Sequence, residues 1–546
     1  MAQIQKDSAS LVADWETLRR IFIRPEDDNS KKVLVKYMEQ ILFGLHDFLN
    51  KHVGVTEEIS LIKLAEEYTD TKINKNPQKK LANVIKDIID EIAPRAVNVA
   101  SPYFIGHMTS AIPFFMVHLK AITAALNQNV IKIETSKVLS VLEKQILAKM
   151  HRMIFNFDET FYLEHVQNTE TCLGVFTTGG TTANLTALWV ARNKLFAPKD
   201  DFKSIETDGF YQAMKAHDLE RVVILISKRG HFSFRKAGGV LGFGNQNVIP
   251  IDVDETRSID LVKLKKKIKE FGADKKTKIA AIVGIAGATE TGIIDPLPQL
   301  ADICQKHGIH FHVDAAWGGP VLLSEKYSHL LKGIERADSV SIDCHKQFYM
   351  PMTAGMVYFK DPKALDQIVY HSSYVNRRGS VDLGIKTLEG SREANSLILD
   401  SSLKIMGSRG YALMIEYGIE TARQFSEIIE KRPLFQLLTK PQLNIVTYRM
   451  IPENIREQLK TADEIERRRL DAILDDINTR IQRTQREAGK SFVSRTQLKI
   501  NTTDDYDTVV LRCVIMNPMT NVSILNEILD EQESILKNIL PATPFQ

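Results

Sequence analysis

"HFHVDAAWGGP", residues 310–320, carries a strand-like apolar run into Asp314, then two alanines, a tryptophan and two glycines. A carboxylate at the C-terminal end of a strand, beside residues small enough to admit a flat ring, suits a protonated heterocyclic nitrogen; it equally suits a helix cap. Runs of the same kind recur on both sides: VVILIS (222–227), KIAAIVGIAGA (278–288), SVSID (339–343) and GMVYF (355–359). Amphipathic helical stretches separate them. That alternation predicts an α/β domain on a mainly parallel central sheet, with ligands beyond the strand ends.

Outside this core the pattern changes. Leu34, Met38, Ile41, Leu42, Leu45, Phe48 and Leu49 share one helical face, which predicts an N-terminal helical segment over 1–95 whose apolar face needs a partner. The α/β domain is then expected over 96–400. After it, LNIVTYRM (443–450), a charged helix from Ile465 to Ile481, VVLRCVIM (509–516) and a last helix near 523–540 predict a small α+β domain over 401–546.

The chain of 546 residues holds 71 Lys and Arg against 68 Asp and Glu, a formal charge of +3 with both signs interspersed, so nothing global favours nucleic acid. Local basic runs such as KLKKKIK (263–269) read as solvated helix faces. The first residues have no apolar signal core, and the longest apolar run, 279–288, is far short of the ~20 residues that span a bilayer. A soluble cytoplasmic protein with no membrane partner is expected. Cys172, Cys304, Cys344 and Cys513 are scattered without zinc-like spacing, so neither disulfides nor structural zinc is expected.

Three further stretches carry candidate chemistry. "TTGGTTANLTALWVARNK" (177–194) leads two glycines into Thr181, Thr182 and a run of helix formers, which presents free N–H groups and hydroxyls to a phosphate, or is simply a Gly turn with a Thr cap. It has neither Walker nor GxGxxG spacing. His231, in "SKRGHFSFRKAGG", follows a strand and could stack on an aromatic ring or cap a turn. Lys346 follows His345 at the end of SVSID, one β-α-β unit beyond Asp314, so both fall on the same sheet edge. A phosphate cradle, a ring-nitrogen carboxylate, a stacking histidine and a lysine are together what pyridoxal 5′-phosphate requires.

"HVDAAWGG", "GIERADSVSIDCHKQFY", "TTGGTTANLTALWVAR" and "TLEGSREAN" resemble the group II pyridoxal-phosphate-dependent amino acid decarboxylases, over roughly 95–400. More closely, "SPYFIGHMTSAIPFF", "ALNQNVIKIETSKVLSVLE" and "GKSFVSRTQL" resemble the bacterial members that act on aspartate. The resemblance implies the aspartate aminotransferase-like fold type I and a homodimer. It implies Lys346 as the Schiff-base lysine and Asp314 as the pyridine-nitrogen partner, with Ala316 and His231 on the two ring faces. Gly180, Thr181, Thr182 and His345 would serve the phosphate, and Thr289 the ring hydroxyl. Arg512, in "LRCVIMNP", matches an arginine that meets the substrate carboxylate, and Arg392, His107 and Thr109 match positions near the substrate. Tyr374, in "HSSYVNRRGS", matches a loop tyrosine that protonates the product-forming carbanion. Asp343 and Cys344 depart from the commoner Asn-Pro before His-Lys.

Loss of the α-carboxylate of an acidic amino acid follows as the expected reaction, with aspartate leading. Glutamate stays open because one methylene is worth only ~1–3 kcal/mol of discrimination. Diaminobutyrate, and a cofactor-binding partner subunit with little activity, stay open too.

Overall fold

The computed structural model describes residues 28–49, 53, 61–372, 382–501 and 504–539. Tyr374 lies outside them. Helix α1, Asp28–Leu49, takes up the N-terminal periodicity, and its Leu42 and Leu49 are about half exposed, as is Phe43 even more.

The central sheet has seven strands rather than the five runs read from sequence: β1 Gly174–Thr177, β2 Arg221–Ser227, β3 Val248–Ile251, β4 Thr277–Ile285, β5 His310–Asp314, β6 Ser339–Asp343 and β7 Gly355–Phe359. The two unread strands have four residues each, too short for periodicity to register. Their order is β1-β7-β6-β5-β4-β2-β3, with β7 antiparallel to both neighbours and every other pair parallel. Val222–Ile226 on β2 and Val340–Ile342 on β6 are buried throughout, as expected of strands covered on both faces.

Helix α2, Val138–Phe155, packs beside β1 and β7, and α3, Gly180–Leu195, lies across the sheet with Ala183, Ala187, Leu188 and Ala191 inward. Three alanines on that face let α3 approach the strands closely.

A second sheet, β8 Phe435–Thr439, β9 Ile445–Met450, β10 Ser494–Leu498 and β11 Thr508–Val514, runs antiparallel in the order β10-β11-β9-β8. It is covered by α5, Glu464–Ala488, against which α6, Val522–Ile539, packs. Between the sheets runs α4, Asn395–Lys431, interrupted at Gly407, whose φ of 63° lies in the left-handed region that glycine tolerates. Ile398, Leu399, Ile415 and Ile419 of α4 belong to the core of the large sheet, and Ala422, Phe425 and Ile429 to that of the small one. The change of core thus falls between Ile419 and Ala422 inside one helix. A continuous helix offers no change of composition for a sequence reading to detect.

Candidate active site

The carboxyl ends of β1, β2, β4, β5 and β6 converge on a cavity of ≈ 320 Å³ lined by Gly180, His231, Thr289, Asp314, Ala316 and Lys346, among others. Cofactor pockets span about 300–1,000 Å³. Parallel topology puts these residues together, because every strand that carries one ends on the same sheet edge.

At the end of β1, Gly179 has φ 151° and turns the chain into α3. Gly180, Thr181 and Thr182 form the first turn of that helix, with their N–H groups free of intrahelical partners. The Oγ atoms of Thr178 and Thr182 lie 3.1 Å apart. A Cβ on Gly180 would lie 2.9 Å from Asp343 Oδ2, and one on Gly355 would lie 2.6 Å from the Gly179 backbone. The floor of this turn therefore has room for glycine alone. Its N–H donors and helix dipole suit a phosphate, so the residues present fit pyridoxal phosphate. His345 borders the turn, its Nδ1 held 2.7 Å from the Ala354 carbonyl.

Lys346 follows β6 and places Nζ 2.9 Å from Oδ2 of Asp343, which is buried. Sequence reasoning had no account of Asp343; the structure makes it the counter-ion of the lysine. Cys344 is fully buried, and burial pushes its thiol well above the ordinary range, which marks it as packing.

Asp314, also buried, accepts from Asn184 Nδ2 at 3.1 Å on Oδ2 and from the Ala316 N–H at 3.1 Å on Oδ1. Ala316 therefore has two parts in the site: its N–H on the carboxylate and its methyl on the cavity wall. His231 lines the cavity from the turn after β2, with Nδ1 accepting from the Ser233 N–H at 3.3 Å. Burial lowers its pKa, partly opposed by Asp314, so the ring is neutral at neutral pH.

Thr289 lines the cavity, and its carbonyl accepts from Arg512 Nε at 2.7 Å. Arg512, on β11 of the small domain, also donates through Nη1 to the Gly106 carbonyl at 3.2 Å; its buried Nη2 has no partner among the described residues. Burial lowers its pKa to about 10, with Glu290 opposing. His107 and Thr109 pair with one another at 3.3 Å on the rim, and His107 shares an adjoining cleft with Thr289 and His231. Desolvation, then the charges of Arg512, Lys346 and His345, lower the pKa of His107. Thr109 touches this cleft through His107 alone.

Arg392 requires a correction. It is buried away from the lysine cavity, donates through Nη1 to Glu143 Oε2 at 2.8 Å and through Nη2 to Glu143 Oε1, and lies over the Phe176 ring. A buried carboxylate on α2 claims both terminal nitrogens of the guanidinium, while its buried Nε has no partner among the described residues.

Asn184, His312, Ser341 and Arg229 were missed. Asn184 stands three residues after Thr181, on the same side of α3, and His312 two before Asp314, on the same face of β5. That spacing is the one sequence signal for them. Arg229 is buried and lines the cavity, donating through Nη1 to the Gln497 carbonyl at 3.2 Å.

Comparison with known proteins agrees with this geometry. The pyridoxal-dependent decarboxylase conserved domain matches residues 64–451. An aspartate 1-decarboxylase of Aliivibrio fischeri is 43% identical over 530 residues, covering 97% of this chain and 96% of that protein. An L-2,4-diaminobutyrate decarboxylase of Acinetobacter baumannii is 27% identical, over 74% of this chain and 77% of that one. Among solved structures, the glutamate decarboxylase domain of a diaminobutyrate-pyruvate transaminase and L-2,4-diaminobutyrate decarboxylase from Vibrio parahaemolyticus superposes with a TM-score of 0.78 at 22% identity, over 96% of this chain and 100% of that one. The fold is accordingly fold type I, and the chain belongs to the pyridoxal-dependent decarboxylase family, the pyridoxal-phosphate enzymes that decarboxylate amino acids.

Proposed function

We propose that this decarboxylase acts on L-aspartate, releasing the α-carboxylate as CO₂ and leaving β-alanine. The observation that carries the reading is Arg512: a guanidinium brought from the small domain onto the carbonyl of Thr289, a residue that lines the cavity, with its buried Nη2 unpartnered among the described residues. A buried donor without a partner is costly, and a substrate carboxylate would satisfy it. The likeness to the Aliivibrio fischeri aspartate 1-decarboxylase over nearly the whole chain supports the same substrate.

Pyridoxal phosphate, when bound, supplies a ring that accepts the electrons of the cleaved bond. Lys346 would anchor it covalently. Asp314 would pair with its ring nitrogen, His231 and the Ala316 methyl would enclose the ring, and Thr289 would serve its hydroxyl. Gly180, Thr181, Thr182 and His345 would hold its phosphate. Arg512 would orient the substrate by a carboxylate, with His107, paired with Thr109, in the adjoining cleft. Tyr374 would deliver the proton to Cα.

The protein works in the cytoplasm as a homodimer, with the segment over 1–95 as the dimerising part, 96–400 binding the cofactor and 401–546 closing the site. Among the described residues no helix is long and apolar enough to cross a membrane. Support for a dimer comes from large apolar side chains left in the open near the N-terminus: Phe43 is 75% exposed and Phe114 79%.

The test is direct. The holoprotein is incubated separately with aspartate, glutamate and 2,4-diaminobutyrate, and CO₂ and amine are measured. β-Alanine from aspartate, lost in Lys346→Ala together with the visible band of the bound cofactor, is the expected result. γ-Aminobutyrate or diaminopropane in its place overturns the aspartate reading.

A further inference from the structure

Behind Asp314 a series of polar side chains runs through the interior of the sheet. On β5, His310, His312 and Asp314 alternate onto one face; on β6, Ser339 and Ser341 do the same, and the strands pair His312 with Ser339 and Asp314 with Ser341. His310 Nε2 lies 2.8 Å from Ser339 Oγ, and Ser339 Oγ lies 2.9 Å from His312 Nδ1. His312 Nε2 lies 3.0 Å from Asn184 Oδ1, and Asn184 Nδ2 lies 3.1 Å from Asp314 Oδ2.

Each link has one direction. The Ser341 hydroxyl lies 2.7 Å from Asn184 Oδ1 and 3.3 Å from Asp314 Oδ1, and Asn184 Nδ2 also reaches Ser233 Oγ at 3.3 Å; these hydroxyls can donate or accept, so it is the Asp314 carboxylate, which only accepts, that turns Nδ2 toward itself and Oδ1 toward His312. To donate to that carbonyl, His312 Nε2 must carry the ring proton. Burial lowers the pKa of His312 to about 3 and that of His310 to about 4, so both rings are neutral. A neutral His312 leaves Nδ1 bare to accept from Ser339, whose oxygen in turn accepts from His310 Nε2–H. The tautomer of His310 then leaves its Nδ1 bare as well, and this nitrogen has no partner among the described residues. A bare acceptor without a partner costs less than a stranded donor.

We infer that Asn184 and His312, backed by Ser339, are positioning residues for Asp314: an uncharged hydrogen-bond chain that turns the Asn184 amide donor onto the carboxylate and so holds it aligned with the cofactor's ring nitrogen. The inference rests on Asp314 as the ring-nitrogen partner. Were the Asn184 amide reversed, its carbonyl would face Asp314 oxygen to oxygen. His312, donating to that carbonyl, opposes the reversal. The positive charge of a protonated histidine in contact would compete with the ring nitrogen for the carboxylate. The neutral relay aligns the carboxylate and leaves it free to balance the cofactor's charge.

The experiment uses the holoprotein loaded with pyridoxal phosphate labelled with ¹⁵N in the ring. The ring shift reports protonation, and the equilibrium constant for cofactor release is measured alongside. In the unaltered protein the nitrogen is expected to stay protonated from pH 6 to 9. In Asn184→Ala and His312→Leu it should titrate inside that range, with cofactor affinity about tenfold weaker. His312→Gln, whose amide can donate to Asn184, should restore the protonated shift. Ser339→Ala, which removes one hydroxyl at the far link, should move the titration in the same direction by less, and serves if the larger changes do not fold. A protonated ring shift unaltered in any folded variant that breaks the chain overturns the inference. So does failure of His312→Gln to differ from His312→Leu. If Asp314→Asn leaves the ring protonated, the premise about Asp314 fails instead, and the two failures are told apart.

Discussion

Lys346 Nζ and Asp343 Oδ2 stand 2.9 Å apart at the end of one strand, in a site where the lysine must give up a proton before its amine can attack an aldehyde. The ion pair also ties Nζ to the strand end, away from an incoming aldehyde. Asp343→Asn, which removes the charged partner, is therefore expected to speed capture of pyridoxal phosphate by the apoprotein severalfold, followed by stopped-flow absorbance. Slower capture would mean that Asp343 serves as the proton acceptor.

Arg512 holds the Thr289 carbonyl through Nε and the Gly106 carbonyl and Ser494 hydroxyl through Nη1, while Nη2 has no partner among the described residues. Arg512→Lys would keep the charge but lose the fork that makes these contacts. We expect KM for aspartate to rise about 30- to 100-fold in Arg512→Ala, the ~2–3 kcal/mol of a charge-assisted hydrogen bond, with the cofactor band retained. The lysine variant should recover only part of it. Unchanged steady-state kinetics in the alanine variant would make Arg512 a purely structural link between the domains.

How much of this was readable beforehand follows from what each residue does. Lys346, Asp314, His231 and the Gly-Thr turn are set by local chain geometry, a strand end or a helix start, and such places have sequence signatures. Arg392 shows the limit: its partner, Glu143, lies 249 residues away, and nothing local marks a pair that distant. Asn184 and His312 fail to stand out for the opposite reason. Each looks like an ordinary polar residue in its own element, and its part emerges only where α3 crosses β5. The small domain was legible as α+β because its strands and helices keep their own periods, whereas the change of core was hidden inside α4.

Three buried histidines predict acid lability. Burial lowers His151 and His310 to about 4 and His312 to about 3, below the ordinary value near 6.5. Between those values the unfolded chain binds protons that the folded chain does not. The stability these groups contribute is thus intact above about pH 6.5 and is lost as pH falls toward 4, with a slope of up to about 1.4 kcal/mol per pH unit for each. His151 can be tested by itself, since it meets Tyr162 and the Phe359 carbonyl, each at 3.0 Å, and shares no side-chain hydrogen bond with the proposed relay. A glutamine can satisfy both partners. His151→Gln should flatten the fall of Tm between pH 6.5 and 4 by about one proton's worth; a slope identical to that of the unaltered protein would refute the assignment.

The Arg392–Glu143 pair separates stability from chemistry. Both groups are buried, so removing one leaves the other charged and unpaired, at a cost of about 3–5 kcal/mol. Arg392→Ala should lower Tm and the denaturant midpoint substantially. Measured at a temperature where it remains folded, its KM for aspartate should match the unaltered protein. Replacing both partners, as in Glu143→Leu with Arg392→Met, removes the stranded charge and should recover most of the lost stability, since apolar substitutes for a buried ion pair are often neutral. Should the folded Arg392→Ala protein instead show KM raised tenfold or more, the arginine would be acting on substrate through a rearranged site, and its purely structural assignment would fall.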